Sequence, residues 1–161
     1  MAARGRLAGL PRERLGAWAT SRKVFGIGRA PRIVPVGEAW HLGVLLLGPD
    51  AVAATGEVLR ARTETIRGFT AESQRARAAL AAAARRGGFA EGEVLHLAWE
   101  PLDLAVVDAG GSSGPLSVVA GVPQVRWSRG GGIRTLSDYL DEQIALREGD
   151  VKGQNPGNSG N

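Results

Sequence analysis

The chain contains no cysteine, one methionine and two histidines in 161 residues. Without a thiol it forms no disulfide, no thiolate zinc or iron–sulfur centre and no cysteine nucleophile. Aromatic residues are scarce at 5%, so an interleaved aromatic platform for stacking single-stranded bases is not expected. The apolar run Leu42–Leu47, with Gly43 inside it, is far below the roughly 20 residues a spanning helix needs. No membrane partner is expected. Lysine is nearly missing too: Lys23 and Lys152 are the only lysines among 20 basic residues.

What is present is unevenly placed. Arg4, Arg6, Arg12, Arg14, Arg22, Lys23, Arg29 and Arg32 crowd the start of the chain against a single acid, Glu13. The formal net charge of +4 therefore reads as the charge of an arm on a slightly acidic body. Residues 4–32 are the expected contact for RNA or another polyanion if the chain has one. The arm carries no apolar stretch of secretory length, roughly 7–15 residues, and the expected compartment is the cytoplasm.

Three regions follow from composition: a basic flexible leader over 1–30, a single α+β domain over 31–148, and a disordered tail over 149–161. The tail consists largely of Gly, Asn, Ser, Pro and Gln, too little apolar surface to offset its ordering entropy. In the leader, Leu7, Leu10, Leu15 and Trp18 suit a turn or two of amphipathic helix, against which Pro11 and several glycines argue.

The clearest local pattern is a hairpin, Trp40–Leu47 and Val52–Leu59 around Pro49-Asp50, with a four-residue loop because proline cannot take the positive φ of a two-residue type I′ turn. Pairing Leu47 with Val52 sets Leu45 opposite Ala54, Gly43 opposite Gly56, His41 opposite Val58 and Trp40 opposite Leu59. Two facing glycines would leave a bare patch that something approaches closely. The Ala/Arg-rich helix expected over about 71–87, capped by Thr70 and stopped by Gly87-Gly88, is the candidate. Its packed face should hold Ala76, Leu80, Ala83 and Ala84. Further strands are expected at Arg32–Val36, Glu93–Trp99, Pro115–Val119 and Val122–Ser128, the last placing Val125 and Trp127 inward. A second helix over about 136–147 begins after Thr135, with Asp138 as the capping-box acid and Leu136, Tyr139, Leu140 and Ile144 as its buried stripe. The sum is α+β: a mostly antiparallel sheet of five to six strands with both helices on one face.

Chemistry-bearing residues are few. His41 and His96 have no chelate spacing, so structural roles are expected and no metal; the alternative is a site that also recruits Glu57 or a like carboxylate. A pocket, if there is one, should lie by His41, Gly43 and Gly56. The segment Arg129-Gly130-Gly131-Gly132-Ile133-Arg134-Thr135 leads a helix N-terminus, which makes Arg129, Arg134 and Thr135 candidate anion ligands, although the Gly-Lys-Ser/Thr ending of a P-loop is missing. Glu100, Asp103 and Asp108 form no recognisable acid–base pair. No catalytic residue and no cofactor is assigned.

Val36–Arg62, the start Phe69–Arg75, Arg85–Phe89 and Pro123–Trp127 together resemble a group of small uncharacterised actinobacterial proteins, over roughly positions 31–147. Some of these carry an automatically assigned glutaminase name. The present sequence lends that name nothing: it has no cysteine, and neither Lys23 nor Lys152 lies three residues after a serine. The resemblance implies lineage and a cytoplasmic setting, and no chemistry. The leading expectation is a non-catalytic domain that binds a protein or itself. The alternatives are a nucleic-acid or ribosome-associated protein using the leader, and an enzyme with an unrecognised pocket near His41.

Overall fold

The computed structural model describes residues 2–19, 30–63 and 71–153. In chain order its elements are α1 (Ala2–Leu7), β1 (Glu13–Trp18), β2 (Ile33–Leu42), β3 (Leu45–Leu47), β4 (Val52–Ala54), β5 (Glu57–Arg60) and α2 (Glu72–Gly87). There follow β6 (Val94–Leu97), β7 (Glu100–Pro101), α3 (Leu104–Asp108), β8 (Ser112–Ser113), β9 (Leu116–Val119), β10 (Val122–Arg126), β11 (Ile133–Thr135) and α4 (Leu136–Gly153). The class is α+β, as expected. The chain divides into two compact units: unit 1 takes residues 1–12, 40–55 and 100–161, unit 2 residues 13–39 and 56–99. Each unit is built from separated segments of the chain. With β2 common to both, the hydrogen-bond ladder counts seven strands, and a second sheet has four. That exceeds the five to six expected, because several apolar runs are broken into strands of two to four residues.

In unit 2 the strand order is β5-β6-β1-β2. β1 lies parallel to β6 and antiparallel to β2, and β5 is antiparallel to β6. A bulge falls between Leu15 and Gly16. Glycine is required there: a Cβ on residue 16 would sit 2.6 Å from Leu95 Cδ1 and 2.8 Å from Ile33 Cγ2. The core is Ile33, Leu59, Ala61, Ala83, Ala84, Phe89, Leu95 and Leu97. α2 buries only Ala82–Ala84, and Ala76, expected in its packed face, is exposed. Small side chains let the helix end come so close that a Cβ on Gly87 would strike the Ile33 carbonyl. Gly88 (φ 109) then takes the left-handed conformation. Its N–H donates to Arg85 O at 3.2 Å and that of Phe89 to Ala84 O at 3.2 Å, the Schellman pattern with a buried residue behind it. The expected cap Thr70 lies outside the described residues; Ala71 stands at the cap position and offers no side-chain bond.

In unit 1, β2 ends in a two-residue turn at Gly43-Val44 and returns as β3, with Leu42 opposite Leu45 and Trp40 opposite Leu47. Gly43 has φ +61, which suits the first central position of a type II′ turn. The register Leu47–Val52, Leu46–Ala53, Leu45–Ala54 is as expected, as is the four-residue loop, closed by Gly48 N–H donating to Ala51 O at 2.9 Å. Beyond Leu45 the expected pairing fails, because Trp40–Leu47 is itself a hairpin. Gly43 does not face Gly56, and the partner of Val58 is His96 rather than His41.

The four-stranded sheet of unit 1 has the order β11-β10-β9-β8. Its central hairpin turns on Ala120 (φ 49) and Gly121 (φ 75), the two positive φ values of a type I′ turn. Val125 is fully buried as expected, but Trp127 is 48% exposed. It lies past the end of β10, against Gly132, where a Cβ would meet the indole at 2.6 Å. α4 buries Tyr139 and Ile144, with Leu136 and Leu140 packed beside them. Thr135 caps it, its Oγ1 accepting the Asp138 N–H at 3.3 Å. The helix runs six residues past its expected end. Residues 149–153 are therefore helical rather than disordered, and 154–161 lie outside the described residues. Each long helix packs within its own unit, so the expectation that both share one sheet face does not hold.

The leader is corrected as well. Residues 2–18 hold α1 and β1, and Leu7 is fully buried in the core of unit 1. Its apolar residues, few as they are, are used. Arg22, Lys23 and Arg29 lie outside the described residues.

Candidate functional site

Among the described residues, Arg4, Arg6, Arg12 and Arg14 of the former arm make contacts within the fold. Arg4 Nε donates to Gly48 O at 2.9 Å. Arg6 pairs with Asp141 at 2.5 Å, and Arg14 with Glu38 at 3.5 Å. Arg12 lies over the Trp40 ring, 4.2 Å from its centroid, a cation–π contact. The pattern continues along the chain. Arg60 donates to Gly92 O at 3.1 Å, Arg86 to Pro31 O through both Nε and Nη2, Arg85 to Phe89 O, and Arg147 to His41 O at 2.8 Å. Five arginines thus satisfy main-chain carbonyls that no strand ladder reaches, a task to which the forked guanidinium is suited.

Of the expected pocket residues, His41 and Gly43 belong to unit 1 and Gly56 to unit 2. His41 is half-buried in unit 1 and its Nε2 lies 2.9 Å from Gly43 O. The space above Gly43 is taken by Tyr139. Gly56 belongs to unit 2, where a Cβ would run into the carbonyls of Leu97 and Ala98. His96 is fully buried and bonds Glu13 Oε2 through Nε2 at 2.7 Å. The carboxylate beside it is Glu13 and not Glu57, because Glu57 pairs with Leu97 and so points from the other face of the sheet. Nothing in the sequence pattern marks Glu13 for this role, since the strand carrying it was read as arm.

Two of the three candidate anion ligands make contacts within unit 1. Arg134 is ion-paired with Glu142, Thr135 is the cap of α4, and Arg129 stands exposed in the turn before Gly130. Asp103 caps α3 through Ala105 N–H at 3.0 Å and Val106 N–H at 3.2 Å. A carboxylate with its own cradle does occur in unit 2: Glu91 Oε2 accepts the Thr63 hydroxyl and the Thr63 N–H, each at 2.8 Å. Those two bonds, with the charges of Arg85 and Arg62 behind them, hold its carboxyl below the usual carboxylate range.

A concave feature of unit 1 lies elsewhere. A cavity of about 80 Å³ opens between Leu10, Pro11 and Trp40 on one side and Arg147, Asp150 and Val151 on the other. Three facts build it. The Trp40 indole N–H donates to Leu10 O at 3.0 Å, holding the chain after α1 against the strand. Arg147 Nε is bound to His41 O. And α4 runs on past the core, so that its inner stripe passes over Trp40 with nothing to fill the gap. Sequence reasoning missed this site because it ended α4 at 147. The signal was Arg147, Asp150 and Val151 at helical spacing beyond that point.

No helix among the described residues is long and apolar enough to cross a membrane. Comparison with protein-family models, with curated proteins and with solved structures finds no match to this chain.

Proposed function

We propose that the chain is a non-catalytic protein-binding module whose partner is a second copy of itself. The observation that carries this reading is the exposure of large apolar side chains at the end of α4, beside a small cavity; others are exposed on the sheet of unit 1. Val119 and Val122 are a cross-strand pair, 52% and 45% exposed, and Ile133 at 56% shares their sheet face through its partner Arg126. Leu146 and Val151 project from α4. Single exposed apolar residues are ordinary; Leu146 and Val151 differ in standing on the stretch of α4 that borders a cavity of side-chain size. The cavity supports the non-catalytic half of the reading. At about 80 Å³ it is far below the roughly 300–1,000 Å³ of clefts that hold metabolites. The polyanion alternative has less support, since Arg4, Arg6, Arg12 and Arg14 are engaged within the fold.

Sedimentation velocity over a wide concentration range tests the reading. The weight-average mass should climb from one chain toward two. A one-chain mass at every concentration would remove it.

A further inference from the structure

The last turns of α4 carry a patch that is complementary to itself. Its concave half is the cavity between Leu10, Pro11 and Trp40 and the helix, about 80 Å³. A cavity of roughly 150 Å³ accommodates benzene, so this one takes a group of a few carbons, the size of a branched aliphatic side chain. Its convex half is Leu146, one residue before Arg147 and 56% exposed. Charges of both signs stand at the rim. Arg12 is exposed on the Trp40 ring, and Asp150 is exposed on the helix. Neither makes an ion pair among the described residues.

Closed dimers are isologous: residue i of one copy meets residue j of the other, and j meets i. A surface can serve both sides of such an axis only if it contains both members of every contact. Here one patch offers a cavity with an exposed leucine, and a cation with an anion. We propose that two copies pair about a twofold axis through the C-terminal half of α4, Leu146 of each entering the other's cavity and Arg12 of each facing Asp150 of the other. The inference rests on the self-association reading and assigns it a surface. A foreign helix would need to bring a leucine and two opposite charges in the same arrangement; the second copy has them already.

The test uses the full chain and its dimer dissociation constant. Leu146→Glu should weaken pairing by roughly tenfold or more, as loss of an anchor in a pocket does, with an unchanged far-ultraviolet spectrum because the side chain is exposed. Arg12→Asp and Asp150→Arg should each weaken it, since either places like charges across the axis. The double variant Arg12→Asp/Asp150→Arg should recover most of the wild-type affinity, an outcome that a merely structural role for either residue does not produce. Ile133→Glu, on the outer face of the sheet, should leave pairing intact. The assignment is overturned if the double variant is no better than the singles, or if Ile133→Glu dissociates the dimer while Leu146→Glu does not. In the second case self-association survives with a different surface; a wild-type chain that never pairs ends both.

Discussion

The hydroxyl of Tyr139 occupies the space that a side chain on Gly43 would need. It accepts the Val44 N–H at 2.8 Å and donates to Leu42 O at 2.9 Å, so one phenol on α4 closes the β2–β3 turn. Tyr139→Phe leaves a buried donor and acceptor without partners and should cost about 1–3 kcal/mol. Gly43→Ala should cost more than the roughly 1 kcal/mol typical of a point substitution, because the new methyl meets both the hydroxyl and a positive φ. Urea unfolding of the full chain measures both; a Tyr139→Phe variant as stable as wild type would remove the hydroxyl from this role.

The same phenol sets a pH dependence. Burial raises the Tyr139 pKa, against the opposing pull of the Val44 N–H. With the folded value above the unfolded one, near 10, the unfolded chain loses its proton first. The contribution is fully present below the unfolded pKa and is lost as pH rises through the folded pKa. Tyr139 is the chain's one tyrosine, so the phenolate absorbance band reports it alone. It should titrate above the ordinary range in the native protein and return toward it in urea.

Glu91 gives the opposite sign. Its carboxyl is held low first by the Thr63 hydroxyl, then by the Thr63 N–H, so its contribution is present above the unfolded pKa and lost as pH falls through the folded one. Thr63→Val removes the larger cause. Carboxyl chemical shifts followed against pH should show the Glu91 midpoint moving up in that variant. A midpoint that stays put would assign the depression to the arginines.

Gly87 and Gly88 are adjacent glycines with different requirements. Gly87 has no room, facing the Ile33 carbonyl, while Gly88 has open space but φ 109. Gly88→Asn should therefore be nearly tolerated, since asparagine also ends helices in the left-handed region. Gly87→Ala should cost about 1–3 kcal/mol, the range for overpacking. Gly56→Val belongs with Gly87→Ala, its new atoms meeting backbone carbonyls that cannot swing aside. Thermal melts rank the three, and a Gly88→Asn variant worse than Gly87→Ala would reverse the assignment.

Arg86→Lys keeps the charge and loses the fork that grips Pro31 O through two nitrogens. It should destabilise by about 0.5–1.5 kcal/mol, the net worth of an ordinary hydrogen bond, whereas Arg129→Lys, exposed in its turn, should be silent. Equal effects would mean that charge and not geometry is what Arg86 supplies.

Local chemistry was legible in the sequence wherever neighbours in the chain decide it. Ala120-Gly121 fixed a turn, Thr135 with Asp138 fixed a helix start, and Pro49-Asp50 fixed a loop and its register. What could not be read is decided by residues far apart. A glycine at 43 reads equally as a strand position or a turn, and only Tyr139, nearly a hundred positions on, makes it a turn. Glu13 sits in a stretch whose charge suggested an arm, and its partner His96 lies on a strand parallel to its own. The cavity depended on where α4 stops, which the unfavourable Gly149 concealed: a helix-interior glycine costs about 1 kcal/mol, yet the helix continues through it. A site assembled from residues 10, 11 and 40 and the last turns of α4 leaves only a faint local trace, the helical spacing of Arg147, Asp150 and Val151.

The guanidinium-to-carbonyl bonds bear on what an isoelectric point near 10.6 means. Arg4, Arg60, Arg85, Arg86 and Arg147 bind main-chain carbonyl oxygens, and their positive charge comes along with the geometry. An electrophoretic property has arisen from a steric one. The chain's net charge is then free to drift: acidic residues added at exposed positions such as Ala76 would neutralise the molecule while every one of those bonds stayed in place. A family built on this plan would keep its arginines and vary its charge, and surface potential would be a poor guide to what its members touch.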